Sequence, residues 1–165
     1  MKAETEIAIE PLRVPDIAHL AAWLVRLPLM QRYGVSADGA VRQLNAALHD
    51  NHKLLVAHLL KDTSPIGLAW VIPRGVFSRS PYLKLLAVAD TAQRTGIGSR
   101  LMNSIETALA ADCDDLLLLV SDFNAPARTF YRARGYEEIG AIADYLLSDT
   151  TEIMMRKKLG ATAPR

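Results

Sequence analysis

The chain reads as a single α/β domain on a mixed, mostly antiparallel sheet of about seven strands, flanked by four helices. Three features lead there. In the second half, strand-like and helix-like runs alternate, as a right-handed crossover with parallel strands requires. In the middle, three strand-like runs follow one another with short connections, as in an antiparallel meander. A length of 165 residues, half of them hydrophobic, suits one substantial core.

The elements follow in order. Residues 6–10 alternate as a short strand. Ile17, Leu20, Leu24 and Leu27 predict a helix over 17–27, capped by Asp16 and ended by Pro28. A connector over 29–36 carries Arg32 and Tyr33, and residues 38–50 read as a second helix with Val41, Leu44 and Leu48 on one side. Strands are expected at 53–60, 66–72 and 82–88, joined by a turn at 61–65 and a loop at 73–81. Ile97, Leu101, Ile105, Ala108 and Leu109 form an apolar stripe along a helix over 99–111. Residues 116–120 are apolar without alternation, as in a strand buried on both faces. A fourth helix spans 126–134, with Gly135 at its C-terminal cap. A hairpin of 137–147 and 151–159 closes the domain at residue 160, leaving 161–165 as a frayed tail.

Composition excludes several function classes. The net charge is +1 with acids and bases interspersed, which is not the footprint of a nucleic-acid binder. Cys113, the one cysteine, cannot form an internal disulfide and reads as a buried or half-buried structural thiol in a reducing compartment. The N-terminus is charged, and the longest clean apolar run, 116–120, is too short to span a bilayer. A cytoplasmic protein with no membrane partner is expected, and a homodimer is compatible with this reading.

Gln93-Arg94-Thr95-Gly96-Ile97-Gly98 carries the most chemistry. It lies between the 82–88 strand and the next helix. A glycine turn that opens a helix leaves main-chain N–H groups unpaired at the positive end of the helix dipole, which makes an anion site. A P-loop is excluded, because no Gly-Lys-Ser/Thr follows. A dinucleotide fingerprint wants a third glycine where Leu101 stands, and an acid about 20 residues on, which Asp122 meets loosely. That alternative stays open.

A second group follows the 116–120 strand: Asn124, Ala127, Tyr131, Gly135 and Tyr136, in the pattern N-x-x-A-x-x-x-Y-x-x-x-G-Y. Ala127 and Tyr131, four apart, share a helix face. Together with Gln-x-x-Gly-x-Gly, this pattern resembles the GNAT superfamily of acetyl-CoA-dependent N-acetyltransferases. The two motifs cover residues 82–136, and the order of elements extends the resemblance over nearly the whole chain.

The resemblance implies that the N–H groups of Gln93, Arg94, Thr95, Gly96, Ile97, Gly98 and Ser99 hold the pyrophosphate of acetyl-CoA. It implies that main chain at Leu86, Ala87 and Val88 holds the acetyl carbonyl, that Asn124 and Ala127 line pantetheine, and that Tyr131 is the acid for the departing thiolate. Asn124 also reads simply as a helix cap, and Tyr131 as a half-buried aromatic tether. Transfer to an amine would be direct, in a ternary complex.

The chain departs from the family in three places. Many members carry a glutamate on the strand before the glycine turn, whereas this chain has Tyr82, Lys84 and no acid between Pro81 and Val88. The base is therefore open among Asp122, His52, His58, a water or an already neutral amine. Asp90 and Arg94 stand where many members have proline and glycine.

His49-x-x-His52 reads as two surface histidines, and no metal is expected. Arg128 and Arg134 read as candidates for CoA phosphates or as solvated residues. The acceptor's walls would come from 27–36, 74–81 and the terminal hairpin, with Arg32, Tyr33, Arg74, Phe77 and Arg79 facing a small-molecule or peptide amine. A non-catalytic acyl-CoA sensor and, less well matched, a dinucleotide-binding oxidoreductase are the rival functions.

Overall fold

The computed structural model describes residues 6–61 and 63–160. The expected tail at 161–165, the first five residues and Asp62 lie outside them.

The sheet has seven strands: β1 (Ile7–Pro11), β2 (Lys53–Leu59), β3 (Pro65–Val76), β4 (Ser80–Val88), β5 (Asp115–Ser121), β6 (Glu137–Ala143) and β7 (Thr151–Lys158). Their order is β1-β2-β3-β4-β5-β7-β6. The β4–β5 pair is parallel, and β1–β2, β2–β3, β5–β7 and β6–β7 are antiparallel. This is the expected mixed sheet. Among the described residues there are five α-helices: α1 (Ile17–Leu24), α2 (Pro28–Arg32), α3 (Ala37–His49), α4 (Ile97–Ala110) and α5 (Ala125–Ala133). The additional helix is short. The residue before a proline is pushed out of helical geometry, so Leu27 is extended (φ −65°, ψ 133°). Pro28 then opens α2, because a first-turn position needs no N–H. The helix expected over 17–27 therefore stops at Leu24.

The chain gathers into two compact units, residues up to Val71 with Leu85–Ile105, and Ile72–Lys84 with residues from Glu106 onward. The boundary falls inside β3, β4 and α4. In the first unit, the apolar stripes of α1 and α3 bury Leu20, Trp23, Leu24, Leu44 and Ala47 in one core with Leu54, Val56, Leu68 and Trp70. Each fully buried leucine contributes about 1.5–3 kcal/mol. The Trp23 indole N–H is satisfied by the Pro65 carbonyl at 2.9 Å. Ser36 caps α3, accepting from the Gly39 N–H at 3.1 Å. Asp16 makes no such bond. Its carboxylate is taken by Arg13 at 3.1 Å and lies 3.4 Å from the buried His58, so the capping role expected for it is not the one it plays.

In the second unit, β3 and β4 are joined by three residues, Phe77, Ser78 and Arg79, in a turn closed by Arg79 N–H donating to the Val76 carbonyl at 3.0 Å. Most of the expected 73–81 loop is therefore strand. β5 pairs with β7 from Asp115↔Lys158 to Ser121↔Glu152. β6 ends at Ala143 rather than near 147, because the segment after it folds into a tight loop. There Asp144 Oδ1 accepts from the Asp149 N–H at 2.7 Å and Asp144 N–H donates to Thr150.

Candidate active site

In the first unit, β4 ends at Val88 and a 3₁₀ turn over Asp90–Ala92 leads to Gln93. The Gln93 side-chain amide donates to Asp90 Oδ1 at 3.0 Å and to the Val88 carbonyl at 3.3 Å. The Thr95 hydroxyl donates to the Ala92 carbonyl at 2.5 Å. Both polar side chains thus brace the turn, as does the Gln93 N–H, which donates to the Asp90 carbonyl at 3.5 Å. Arg94 (φ +61°) and Gly96 (φ +84°) are left-handed. Glycine takes that conformation freely, whereas an arginine gives up roughly 1–2 kcal/mol there. A glycine at the Arg94 position would remove that cost.

Helix α4 starts at Ile97, which is buried and anchors the turn, while residues 93–96 are exposed. Arg100 N–H makes an early helical bond, to the Gly96 carbonyl at 3.0 Å. The N–H groups of Ile97, Gly98 and Ser99 precede it and have no acceptor within the helix. They are first-turn donors at the positive dipole end, as the sequence leads one to expect.

In the second unit, Asn124 caps α5. Its Oδ1 accepts from the Ala127 N–H at 3.3 Å. The helix ends in a paired C-terminal motif. Gly135 N–H donates to Arg132, and Tyr136 N–H to Tyr131, around Gly135 at φ +86°. Gly135 is thus the C-terminal capping residue.

Tyr131 is buried between Phe130 and Tyr136, with ring centroids 5.3 Å and 5.5 Å away, both edge-on. Burial pushes its phenol well above the ordinary value. The Arg134 charge opposes the shift and Tyr82 adds to it, so the hydroxyl holds its proton throughout the neutral range.

The arginines weighed for phosphates are engaged within the chain. Arg128 and Arg132 converge on Glu138, and Arg134 joins Glu106 at 3.1 Å. Glu106 also binds Lys157 at 2.6 Å and the Tyr136 hydroxyl at 3.1 Å, which ties α4, the end of α5 and β7 together.

Of the side chains weighed as a base, Asp122 and His52 are hydrogen-bonded elsewhere and His58 is buried. Asp122 accepts from the Thr151 N–H at 3.2 Å. His52 Nδ1 accepts from the Trp70 indole at 3.1 Å, and His58 lies buried against Asp16. His49 meets Asp50 at 3.1 Å. Among the expected acceptor-facing residues, Arg32 is exposed and Tyr33 half-buried after α2. Arg74 is exposed, Phe77 is 90% exposed at the β3–β4 tip, and Arg79 lies 3.7 Å from Asp114. Cys113, half-buried as expected, lines a cavity of about 250 Å³ with Arg79 and three aspartates, and none of residues 86–99 or 124–131 borders it.

The sequence reading missed Ser121 and Glu152. The Ser121 hydroxyl donates to Glu152 Oε1 at 3.0 Å and Oε2 at 3.2 Å, with both residues buried. They are 31 positions apart, and no local pattern links them.

Among the described residues, no helix is long and apolar enough to cross a membrane. Among curated proteins, none matches the chain. Solved structures of the same architecture include spermidine N-acetyltransferase from Vibrio cholerae in complex with CoA and spermine. It is 18% identical with a TM-score of 0.77, over 93% of this chain and 95% of that one. They also include an aminoglycoside 6'-N-acetyltransferase complexed with coenzyme A, 16% identical with a TM-score of 0.76 over 96% and 99%. An acetyltransferase from Thermus thermophilus is 18% identical with a TM-score of 0.74 over 93% and 97%. At these identities the likeness is one of fold. The family model described as acetyltransferase (GNAT) family matches residues 20–136, well over half of the sequence, and carries both motifs: this chain belongs to the GNAT acetyltransferase family.

Proposed function

We propose that this protein is an N-acetyltransferase that moves an acetyl group from acetyl-CoA to an amine by direct attack. The observation that carries this is Tyr131, a buried phenol held in its protonated form on a helix capped by Asn124. Acyl transfer from a thioester needs a proton or a hydrogen bond for the departing sulfur, and a protonated phenol supplies one. In this reading the first-turn N–H groups of α4 and the turn at Gln93–Gly96 hold the pyrophosphate. Main chain at Leu86–Val88 receives the acetyl carbonyl, and the Asn124 side chain and the small Ala127 serve pantetheine. The CoA complexes of the two named relatives support the choice of co-substrate, and the spermine bound to one supports an amine acceptor.

The test is a thermal-shift comparison of acetyl-CoA, CoA and NAD, followed by free-thiol release across a panel of amines that includes spermine and an aminoglycoside. Stabilisation by acetyl-CoA with amine-dependent thiol release is expected. Stabilisation without release from any amine would make the protein an acyl-CoA sensor, and stabilisation by NAD alone would overturn the assignment.

A further inference from the structure

Acetylating an amine that arrives as an ammonium ion requires a group to take its proton, and β4 carries no acid. The strand registers supply a carboxylate from elsewhere. Within the second unit, β4 pairs with β5 at Tyr82↔Leu117 and Leu83↔Leu118. Side chains alternate faces along a strand, so Leu117 and Ser121 share a face, and paired residues share theirs. Tyr82, Leu117, Ser121 and Glu152 therefore lie on one side of the sheet. The other side carries Leu116 and its partner Lys157, whose ammonium reaches Glu106 of α4, as do Arg134 and Tyr136 at the end of α5. One face thus bears the helix of the expected acid, and the opposite face bears a buried serine–carboxylate pair.

Ser121 also roots the α5 motif, because its carbonyl accepts the Asn124 N–H at 2.9 Å. The charged and titratable groups sharing the face of Glu152 in this unit include Tyr82 and Lys84 on β4, Asp115 on β5, Glu137 on β6, and Arg156 and Lys158 on β7. Arg156 is committed to Asp115 at 2.7 Å. Ser121 and Glu152 each take part in a further interaction.

We propose that Glu152, acting through the Ser121 hydroxyl, accepts the proton of the incoming ammonium ion, on the face of the sheet opposite α4 and α5. This rests on the acetyltransferase reading above. The ammonium gives a proton to Ser121 Oγ as Ser121 gives its own to the Glu152 carboxylate, which later releases it to solvent. The neutral amine adds to the thioester carbonyl carbon. The carbon–sulfur bond breaks, the thiolate takes the Tyr131 proton, and the nitrogen's remaining excess proton restores the phenol. The products are the amide, the free thiol and one proton. Ser121 is the residue expected to touch the amine, and Glu152 is a positioning and proton-holding residue behind it.

The test compares spermine, protonated at neutral pH, with hydroxylamine, which is already neutral there. Thiol release is followed for the wild type, Glu152→Gln, Glu152→Asp and Ser121→Ala, with acetyl-CoA affinity from calorimetry as the control for folding. Glu152→Gln is expected to lower kcat/KM for spermine about 10²-fold or more. It should leave hydroxylamine and acetyl-CoA affinity unchanged, and log kcat/KM for spermine should rise with pH along the free-amine fraction. Glu152→Asp should recover part of the loss. Equal losses with both nucleophiles would reduce the pair to a structural role, and an active wild type matched by Glu152→Gln would overturn the proposal alone. A wild type that binds acetyl-CoA but acetylates neither nucleophile would overturn the transferase reading and this proposal with it. Should Glu152→Gln fail to fold, Ser121→Ala, which removes the relay hydroxyl and keeps the carboxylate, decides on the same criteria.

Discussion

Tyr131 combines two properties that a single residue type rarely offers, a ring that packs as core and a proton donor that survives burial. Its packing between Phe130 and Tyr136 holds the ring, and desolvation keeps the hydroxyl protonated. Tyr131→Phe preserves the shape and removes the proton. It should lower kcat by about 10²-fold or more while acetyl-CoA affinity stays the same by calorimetry. The phenol should also contribute no pH limb to wild-type kcat below its ordinary value of about 10; a tyrosinate absorbance rising in step with lost activity at lower pH would refute this. Most of the candidate site was legible at this scale. The chemistry of the glycine turn depends on contiguous residues, and so does the Asn124–Ala127–Tyr131 spacing. Ser121 and Glu152 were not legible, because a hydrogen bond between strands 31 positions apart leaves no trace in local spacing.

At the scale of elements, the two site-bearing helices are positioned by their ends. α4 opens from a turn with two left-handed residues, and α5 is closed by Gly135 at φ +86°, with main-chain bonds on both sides of it. Any side chain at Gly135 meets the left-handed penalty, so Gly135→Ala should cost about 1–2 kcal/mol. That corresponds to a melting temperature lower by about 2–8 °C, measurable by calorimetry; an unchanged value would mean that the helix end rearranges freely. Both ends were readable in advance because glycine marks such positions through its backbone alone. The start of α2 was read as a stop, since Pro28 ends one helix and begins another, and sequence alone does not say which effect governs. Asp16 was misread for a different reason. A cap is a local bond, but Arg13 and His58 compete for the same carboxylate and win it in the folded chain.

For the molecule as a whole, that same carboxylate links the fold to pH. Burial raises the Asp16 pKa, but Arg13 and His58 outweigh it and hold the group below its ordinary 3.8. Its contribution to stability is therefore complete above that value and is lost as pH falls through the lower, folded value. Asp16→Asn should reduce stability by about 1–3 kcal/mol at neutral pH, and the difference from wild type should shrink below about pH 4. Urea unfolding across that range measures both; a constant difference down to the acid limit would show that the charge plays no part.

The sequence by itself determined the order of the elements, the glycine turn that opens α4 and the phenol on its helix. Each of these is written in neighbouring residues through periodicity, glycine placement or helical spacing. Only the tertiary structure decided which face of the sheet each side chain occupies and which distant groups share a proton or a charge, as in Glu106 with Lys157 and Glu152 with Ser121. Strand register sets those pairings, and register is a property of the assembled sheet rather than of any one strand.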